Sequence, residues 1–445
     1  MELSHTSSAA DRLEGLVQFC IDEARKLGAT SAEASVDVEH GLSVTARLGG
    51  VETLEHHNGR RLGVTVYAGD RKGSSSTTDF EPAAIRDAVT AAHNIAGFTE
   101  QDACAGLADA DRMATEIPDL GLDCMWDLTP EEAVEVAVEC ENRAREFKEI
   151  SNSEGASVST GRGTHVYGNT HGFVGGYTST RHSLSCSVIA GQGDAMQRDY
   201  WFTTSRNPTG LQSAEEVGRQ AAQRAIRRLG ARKMVTQTSP VIFEAGLARS
   251  LLYHFVSAIS GSALYRQASF LLDRLGKEVF SDRVTITEDP HIPAGLGSSS
   301  FDMEGVATQP RTLVSDGVLN GYVLNSYSAR KLGMKSTGNA GGIHNLMLHP
   351  GQQTLDEMIS SMQRGLLVTE LIGHGVNTVT GDYSRGAVGY WIEDGEVQYP
   401  VQEITIAGNL KSMFRKITAI GNDVDCRGTV VTPSLQVDDM TIAGV

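Results

Sequence analysis

The segments SVDVEH (residues 35–40), LSVTARL (42–48) and LGVTVYAG (62–69) decide the fold class of this chain. In each, apolar and polar residues alternate, and side chains two apart share one face of a strand. Each segment therefore turns one face to a core and the other to water. Gly49-Gly50, Asn58-Gly59 and Gly69-Asp70 divide residues 32–78 with the turn chemistry of an antiparallel meander. Helical spacing brackets the region. Leu13, Leu16, Val17, Cys20 and Ala24 recur at intervals of three and four over residues 11–27, stopping near Gly28, and a second helix is expected over 82–96.

The same order recurs downstream. Residues 100–123, rich in Ala and Asp, lack periodicity and read as a connector. Thr129-Pro130-Glu131-Glu132 then supplies an N-cap, Pro at the first helical position and Glu at the third, a start signal for a helix to about Lys148. Glycine-punctuated strands follow over 150–203, with a turn expected at Gly168-Asn169, until Ser213 and Glu216 form a second capping box for a helix ending near Gly230. Beyond about Val235 the pattern is one apolar helix, 247–260, and many short strands with Asp316-Gly317 and Asp394-Gly395 as hairpin turns.

The expected fold is α+β. Its amino-terminal part consists of helix–strands–helix units, antiparallel sheets flanked by helices, and its carboxy-terminal domain is mainly β with one buried helix. The expected domains are 1–110, 111–234 packed with the first, and 235–445. The repeated order of the first two is compatible with an ancient duplication, though no residue-level identity links them.

Composition narrows the function classes. The 445 residues include 55 Asp and Glu against 38 Lys and Arg, a net charge of −17 without any extended basic run. Nucleic-acid affinity comes largely from clustered cations, so direct binding to nucleic acid is not expected. The most apolar uncharged stretch, 250–265, contains His254, Ser250, Ser257, Ser260 and Ser262 and is too short to span a bilayer. The start, MELSHTSSAADRLEG, has neither a basic region nor an apolar core of a leader, so a cytoplasmic location is expected. Six scattered cysteines without a C-x-x-C pair imply reduced thiols.

A search for chemistry yields few candidates. No His precedes a Glu, so H-E-x-x-H is absent; His56 and His57 are adjacent and point to opposite sides of a strand, and His165 and His171 straddle a turn. There is no G-x-S-x-G elbow. Gly338-Asn339-Ala340-Gly341-Gly342 lacks the Lys-Ser/Thr of a phosphate loop. Asp302 and Glu304 would share one face of an extended segment, where a carboxylate pair can divide acid and base roles or, more commonly, serve as structural acceptors.

The blocks ALYRQASFLLDRLGKEVF (263–280), TITEDPHIPAGLGSSSFDMEGVATQPRTLVSDGVLNGYVLNSYSARKLGMKSTGNAGG (285–342), GDYSRGAVGYWIEDGEVQYPVQEITIAGNL (381–410) and AIGNDVD (419–425) closely resemble the TldD/PmbA family, in its PmbA or TldE branch. The resemblance implies a cytoplasmic zinc peptidase of two related chains, TldD and TldE, acting on small or unfolded peptides; an older family label is modulator of DNA gyrase. In the TldD branch a helix carries H-E-x-x-x-H, with two His ligands to zinc and Glu as general base. That helix resembles residues 251–258 here, where Tyr253 stands at the first His, His254 at the Glu and Ala258 at the second His.

Ala has no donor atom, and a phenol with a pKa of about 10 is a poor ligand at neutral pH. The resemblance therefore implies no catalytic residue and no metal in this chain, with zinc held by a TldD-type partner. The TldD branch also draws a cysteine ligand from a loop after its GND motif, but Cys426 directly follows Asp425 and is not equated with it. Asp302, Glu304, Gly338 and Asn339 lie in segments the resemblance places in both branches, and are expected to shape cleft or scaffold, with Gly338 permitting positive φ and Asn339 capping a turn. The implied role is a non-catalytic TldE-type subunit paired with a TldD-type chain and acting on unstructured peptides. A homodimer in isolation is a second arrangement for the same surface. A stand-alone peptidase using Asp302 and Glu304, and a gyrase-associated regulator, are the alternatives.

Overall fold

Helix α1 (Ala9–Lys26) gives way at Gly28 to strands β1 (Ser31–Arg47), β2 (Gly50–Ala68) and β3 (Arg71–Thr77), followed by helix α2 (Pro82–Phe98). The computed structural model describes residues 9–444; the start whose composition was read above lies largely outside them. Two of the three expected turns exist. Leu48 and Gly49, both at positive φ, close the β1–β2 hairpin, and Gly69 opens the turn to β3. Asn58-Gly59 is not a turn: it lies inside β2 opposite His40 and Glu39. The β1 partner continues through Gly41, so a turn there would strand backbone groups that the ladder satisfies.

After a connector with one short 3-10 helix at 110–112, the second unit runs through α3 (Pro130–Arg145), β4 (Ile150–Asn169), β5 (Val174–Ala190), β6 (Gln197–Ser205) and α4 (Ala214–Arg227). The Thr129 box is complete: its hydroxyl accepts from the Glu132 N–H at 3.2 Å, and the Glu132 carboxylate accepts from the Thr129 N–H at 2.9 Å. The Ser213 box is half formed, because Glu216 turns its carboxylate to Arg219 and Gln220 instead. The β4–β5 turn sits two residues later than expected, since Gly168 remains paired with Val174.

Both units build one antiparallel sheet in the order β3-β2-β1-β4-β5-β6, symmetric about the central β1–β4 pair. One face is covered by the four helices. Val36, Val64 and Val66 pack under Val17, Ile21 and Ile85, while Val44, Val158 and Leu184 pack under Ala133, Ala137 and Val217. Burying each such Val, Leu or Ile contributes about 1.5–3 kcal/mol. Helices α3 and α4 touch backbone to backbone: a Cβ at Gly218 would stand 2.1 Å from the Cys140 carbonyl oxygen.

The remainder begins with β7 (Gln237–Phe243) and α5 (Ala245–Ala258), then α6 (Gly261–Tyr265), β8 (Ile286–Glu288), β9 (Arg311–Ser315), β10 (Val318–Leu319), α7 (Ser326–Lys331) and β11 (Leu346–Leu348). It ends with α8 (Leu355–Ser360), β12 (Arg364–Ile372), β13 (Asp382–Glu393), β14 (Glu396–Asn409), α9 (Leu410–Arg415), β15 (Ile417–Ile420), β16 (Val430–Val431) and β17 (Leu435–Ala443). One sheet has the order β10-β9-β8-β11-β16, the other β14-β13-β12-β7-β17-β15, and β14 returns to β17 to close a ring. Asp316-Gly317 and Asp394-Gly395 make the expected hairpin turns, all four residues at positive φ. Helix α5 buries Leu251, Leu252, Phe255 and Ala258 in the largest core. It is not the sole helix of the region. The other four have five or six residues, too few for a 3.6-residue period to show.

This β-rich part lies against the uncovered face of the six-stranded sheet. Phe301 packs on Phe173 and Tyr177, and the Arg206 guanidinium donates to the carbonyls of Gly295 and Leu296. Among the described residues no helix is long and apolar enough to cross a membrane.

Candidate functional site

Where α5 meets β6, the two parts leave a cavity of about 370 Å³. Tyr200, Trp201 and Phe202 form one wall; Arg249, Ser250 and Tyr253, one helical face of α5, form the other. A second cavity of about 460 Å³ adjoins it, sharing Asp199, Arg224, Glu244 and Thr369 and adding Tyr390 and Tyr399.

Charges partition the two spaces. One Arg224 nitrogen, Nη1, reaches both Glu244 oxygens at 3.1 Å, and its Nε reaches Asp199 at 3.3 Å. Arg228 adds a 2.6 Å pair to Glu370 on β12. Burial works against the Arg224 charge, yet Glu244 and Asp199 together raise its pKa, so it stays a cation. Enclosure in turn raises the pKa of Glu244, which lines both cavities. At the opposite wall Asp425 holds Arg249 at 2.9 Å and Arg427. Burial opposes the Asp425 charge, but those two guanidiniums keep its pKa below the usual carboxylate value. Arg427 also lies 3.7 Å over the Trp201 ring, a stacked cation at the aromatic wall.

Tyr253 projects from α5 and is 44% exposed, whereas Ala258 is fully buried. The His254 ring lies edge-on to Tyr383 at 6.1 Å, and both its Nε2 and the Tyr383 hydroxyl are buried with no hydrogen-bond partner. Burial and the nearby Arg385 lower the His254 pKa, keeping the imidazole neutral at pH 7. This set does not fit zinc: one position has no donor, one is a phenol turned outward, and one faces a tyrosine. No three His, Cys, Asp or Glu side chains among the described residues converge as a metal site. At Cys426, partial burial and the Asp425 carboxylate push the thiol pKa up, away from the thiolate a metal requires.

Asp302 and Glu304 are not on one strand face. They belong to a turn closed by Gly305 at φ 74°, and the Asp302 carboxylate accepts from the N–H groups of Glu304, Val306 and Ala340 at 2.9–3.0 Å. Three donors converging on one carboxylate favour the turn over an extended segment, which would leave that buried group without them. Burial nevertheless pushes the Asp302 pKa up to about 7. Glu304 accepts from the Ser326 N–H at the start of α7. Gly338 has φ 72°, and Asn339 donates to Glu288 and Gly342 while accepting from Arg311 and Thr337. Arg311 closes the knot with Glu288 at 2.6 Å.

His165 and His171 do not meet. His165 pairs across β1–β4 with Asp37 at 2.6 Å, and His171 faces the Ala108 carbonyl. Sequence reasoning also missed Asp199, Arg224, Glu244 and Arg427, which come from four separate segments without a motif. Only the strand order brings them together.

Three successive regions match models of the PmbA/TldA metallopeptidase: domain 1 over 32–96, the central domain over 125–229 and the C-terminal domain over 236–444. Fold and matched regions together place the chain in a family of metallopeptidase-type proteins. The chain belongs to the PmbA/TldD family, in its PmbA branch. It is 48% identical to Metalloprotease PmbA of Escherichia coli O157:H7, covering 93% of this chain and 92% of that one. It is also 48% identical to the Metalloprotease PmbA homolog of Haemophilus influenzae, over 97% and 96%. The Metalloprotease TldD homolog of the same species is 26% identical over 51% of this chain and 52% of its own. Among solved structures, a candidate modulator of DNA gyrase from Bacteroides thetaiotaomicron superposes with a TM-score of 0.93 at 30% identity, covering 98% and 100%. TldE from Thermococcus kodakarensis shares the fold, with a TM-score of 0.81 at 22% identity over 97% and 99%.

Proposed function

We propose that this chain is the non-catalytic, TldE-type subunit of a heteromeric cytoplasmic zinc metallopeptidase that degrades or matures small unfolded peptides, with zinc and general base supplied by a TldD-type partner. The observation that carries this reading is α5: it borders the 370 Å³ cavity and presents Tyr253, His254 and Ala258 at the positions where the TldD branch carries its ligands and base. The cavity offers aromatic faces and paired charges, a lining suited to holding an extended chain. An extended backbone enters such a cleft; a folded protein does not.

The test is reconstitution. Purified alone, the chain should hold substoichiometric zinc by elemental analysis and leave unstructured peptides intact. Mixed with a TldD-type chain from the same cell it should form a complex whose peptide cleavage is abolished by chelators. Replacing the partner's motif Glu should cost orders of magnitude in kcat. Hydrolysis by the single chain that survives chelation, or failure of any TldD-type chain to bind, would sink the proposal.

A further inference from the structure

Seven charged side chains line the α5 cavity, and six of them are already paired: Arg224 with Glu244 and Asp199, Glu370 with Arg228, and Arg249 and Arg427 with Asp425. The seventh is Arg385 on β13. It makes no ion pair among the described residues; its Nε donates to the Ile372 carbonyl at 3.3 Å, and neither Nη group has a partner among them. With Arg228 and Asp425 counted, five guanidiniums face four carboxylates, so one positive charge is left over. A single carboxylate balances it; a phosphate dianion overshoots. A guanidinium with free Nη groups receives a carboxylate through two parallel N–H···O bonds.

The α5 wall of the same cavity lacks acceptors. The Tyr253 hydroxyl makes no hydrogen bond among the described residues, and Ser250 Oγ is buried without a partner. Buried polar groups are nearly always paired, so an orphan hydroxyl beside an unpaired cation marks where an acceptor belongs. Leu247 and Leu371 add apolar surface. Past Thr369 the adjoining 460 Å³ cavity continues toward Tyr390 and Tyr399, which gives an occupant held by its end room for the chain behind it.

We propose that Arg385 captures the free C-terminal carboxylate of a peptide, with the Tyr253 and Ser250 hydroxyls donating to the same group and an apolar last side chain lying against Leu247 and Leu371. The preceding residues follow the cleft toward Tyr390. This inference rests on the peptidase reading for the nature of its ligand and adds a preference for one end of it.

Two readouts separate the inference from that reading. The first needs no partner: the full chain, purified alone, is titrated by calorimetry with one unstructured hexapeptide ending in leucine, as the free acid and as the amide. The free acid binds about tenfold or more tighter. Arg385→Gln brings the free acid down to the affinity of the amide, and Arg385→Lys, which keeps the charge but not the fork, retains part of the preference. The second readout is turnover by the pair formed with a TldD-type chain, where the free acid has the lower KM and Arg385→Gln abolishes the difference. Absence of binding, equal affinity for acid and amide, or a preference that survives Arg385→Gln overturns the inference, while cleavage of both forms alike by the pair keeps the subunit assignment. A preference lost with Arg385 in a chain whose pair cleaves nothing upholds the carboxylate subsite and sinks the assignment.

Discussion

Arg224 with Glu244 and Asp199, and Arg311 with Glu288 and Asn339, are both guanidiniums held by carboxylates inside the molecule. The first group spans the junction between the six-stranded sheet and the β-rich part, and its members keep some solvent: 17% for the Arg224 side chain, 29% for Glu244 and 34% for Glu370. The second ties the 338–344 loop to β8 and β9, with Glu288 at 1% and Asn339 at 5% exposure. The same chemistry thus performs two tasks. Arg224 and Arg311 keep the same 17% of their side-chain surface, so the difference lies in the carboxylates: Glu244 at the cavity keeps 29% and Glu288 in the knot 1%.

The sharpest way to break this comparison is Glu288→Ala. It takes the buried carboxylate from Arg311, the Asn339 amide and the His344 N–H, leaving the guanidinium only the Tyr322 carbonyl and the Asn339 oxygen, and should cost about 3–5 kcal/mol in urea unfolding. Glu244→Ala should cost only about 1–2 kcal/mol, because cavity water can reach Arg224. Equal losses would erase the distinction.

Asp302 sharpens it through pH. Its folded pKa is raised from 3.8 to about 7 by burial, so its contribution is fully present below the unfolded value and is lost as pH rises through the folded one. Between pH of about 4 and about 7 the unaltered chain should lose stability relative to Asp302→Asn, at up to about 1.4 kcal/mol per pH unit. A difference that stays flat with pH would mean the carboxylate is ionised in the fold.

Gly338→Ala comes next. A side chain there has φ 72° and a Cβ 2.8 Å from the Ala307 carbonyl oxygen, a strain expected to cost about 1–3 kcal/mol in thermal or urea unfolding. The smallest effect is expected at the cleft: His254→Ala removes an imidazole without a polar partner and should change peptide turnover of the reconstituted pair by less than about threefold. A large loss would give His254 a role in the reaction.

Legibility in the sequence followed burial. Alternation over 35–69 revealed strands because one face lies under helices, and Thr129 announced α3 because capping is local chemistry. The failures share a cause as well. Asn58-Gly59 has ideal turn residues, but a strand 17 residues long runs beside them and keeps them extended. Asp302 sits in a turn because of donors that include Ala340, a contact no local pattern encodes. The resemblance located α5 and the Asp302 and Gly338 segments. It left out the cleft charges, which depend on β6, α4 and β12 being neighbours.

The β1–β4 pair at the centre of the sheet sets a timetable for biosynthesis. Its partners run from residues 33–46 to 156–169. The intervening stretch takes about 5–20 s to emerge at ordinary translation rates, long after a hairpin can form. During that interval the nascent β1–β3 meander offers an uncovered inner edge along β1. An unpaired strand edge is a template for a wrong partner, so the order of synthesis leaves β1 open to mispairing until β4 arrives.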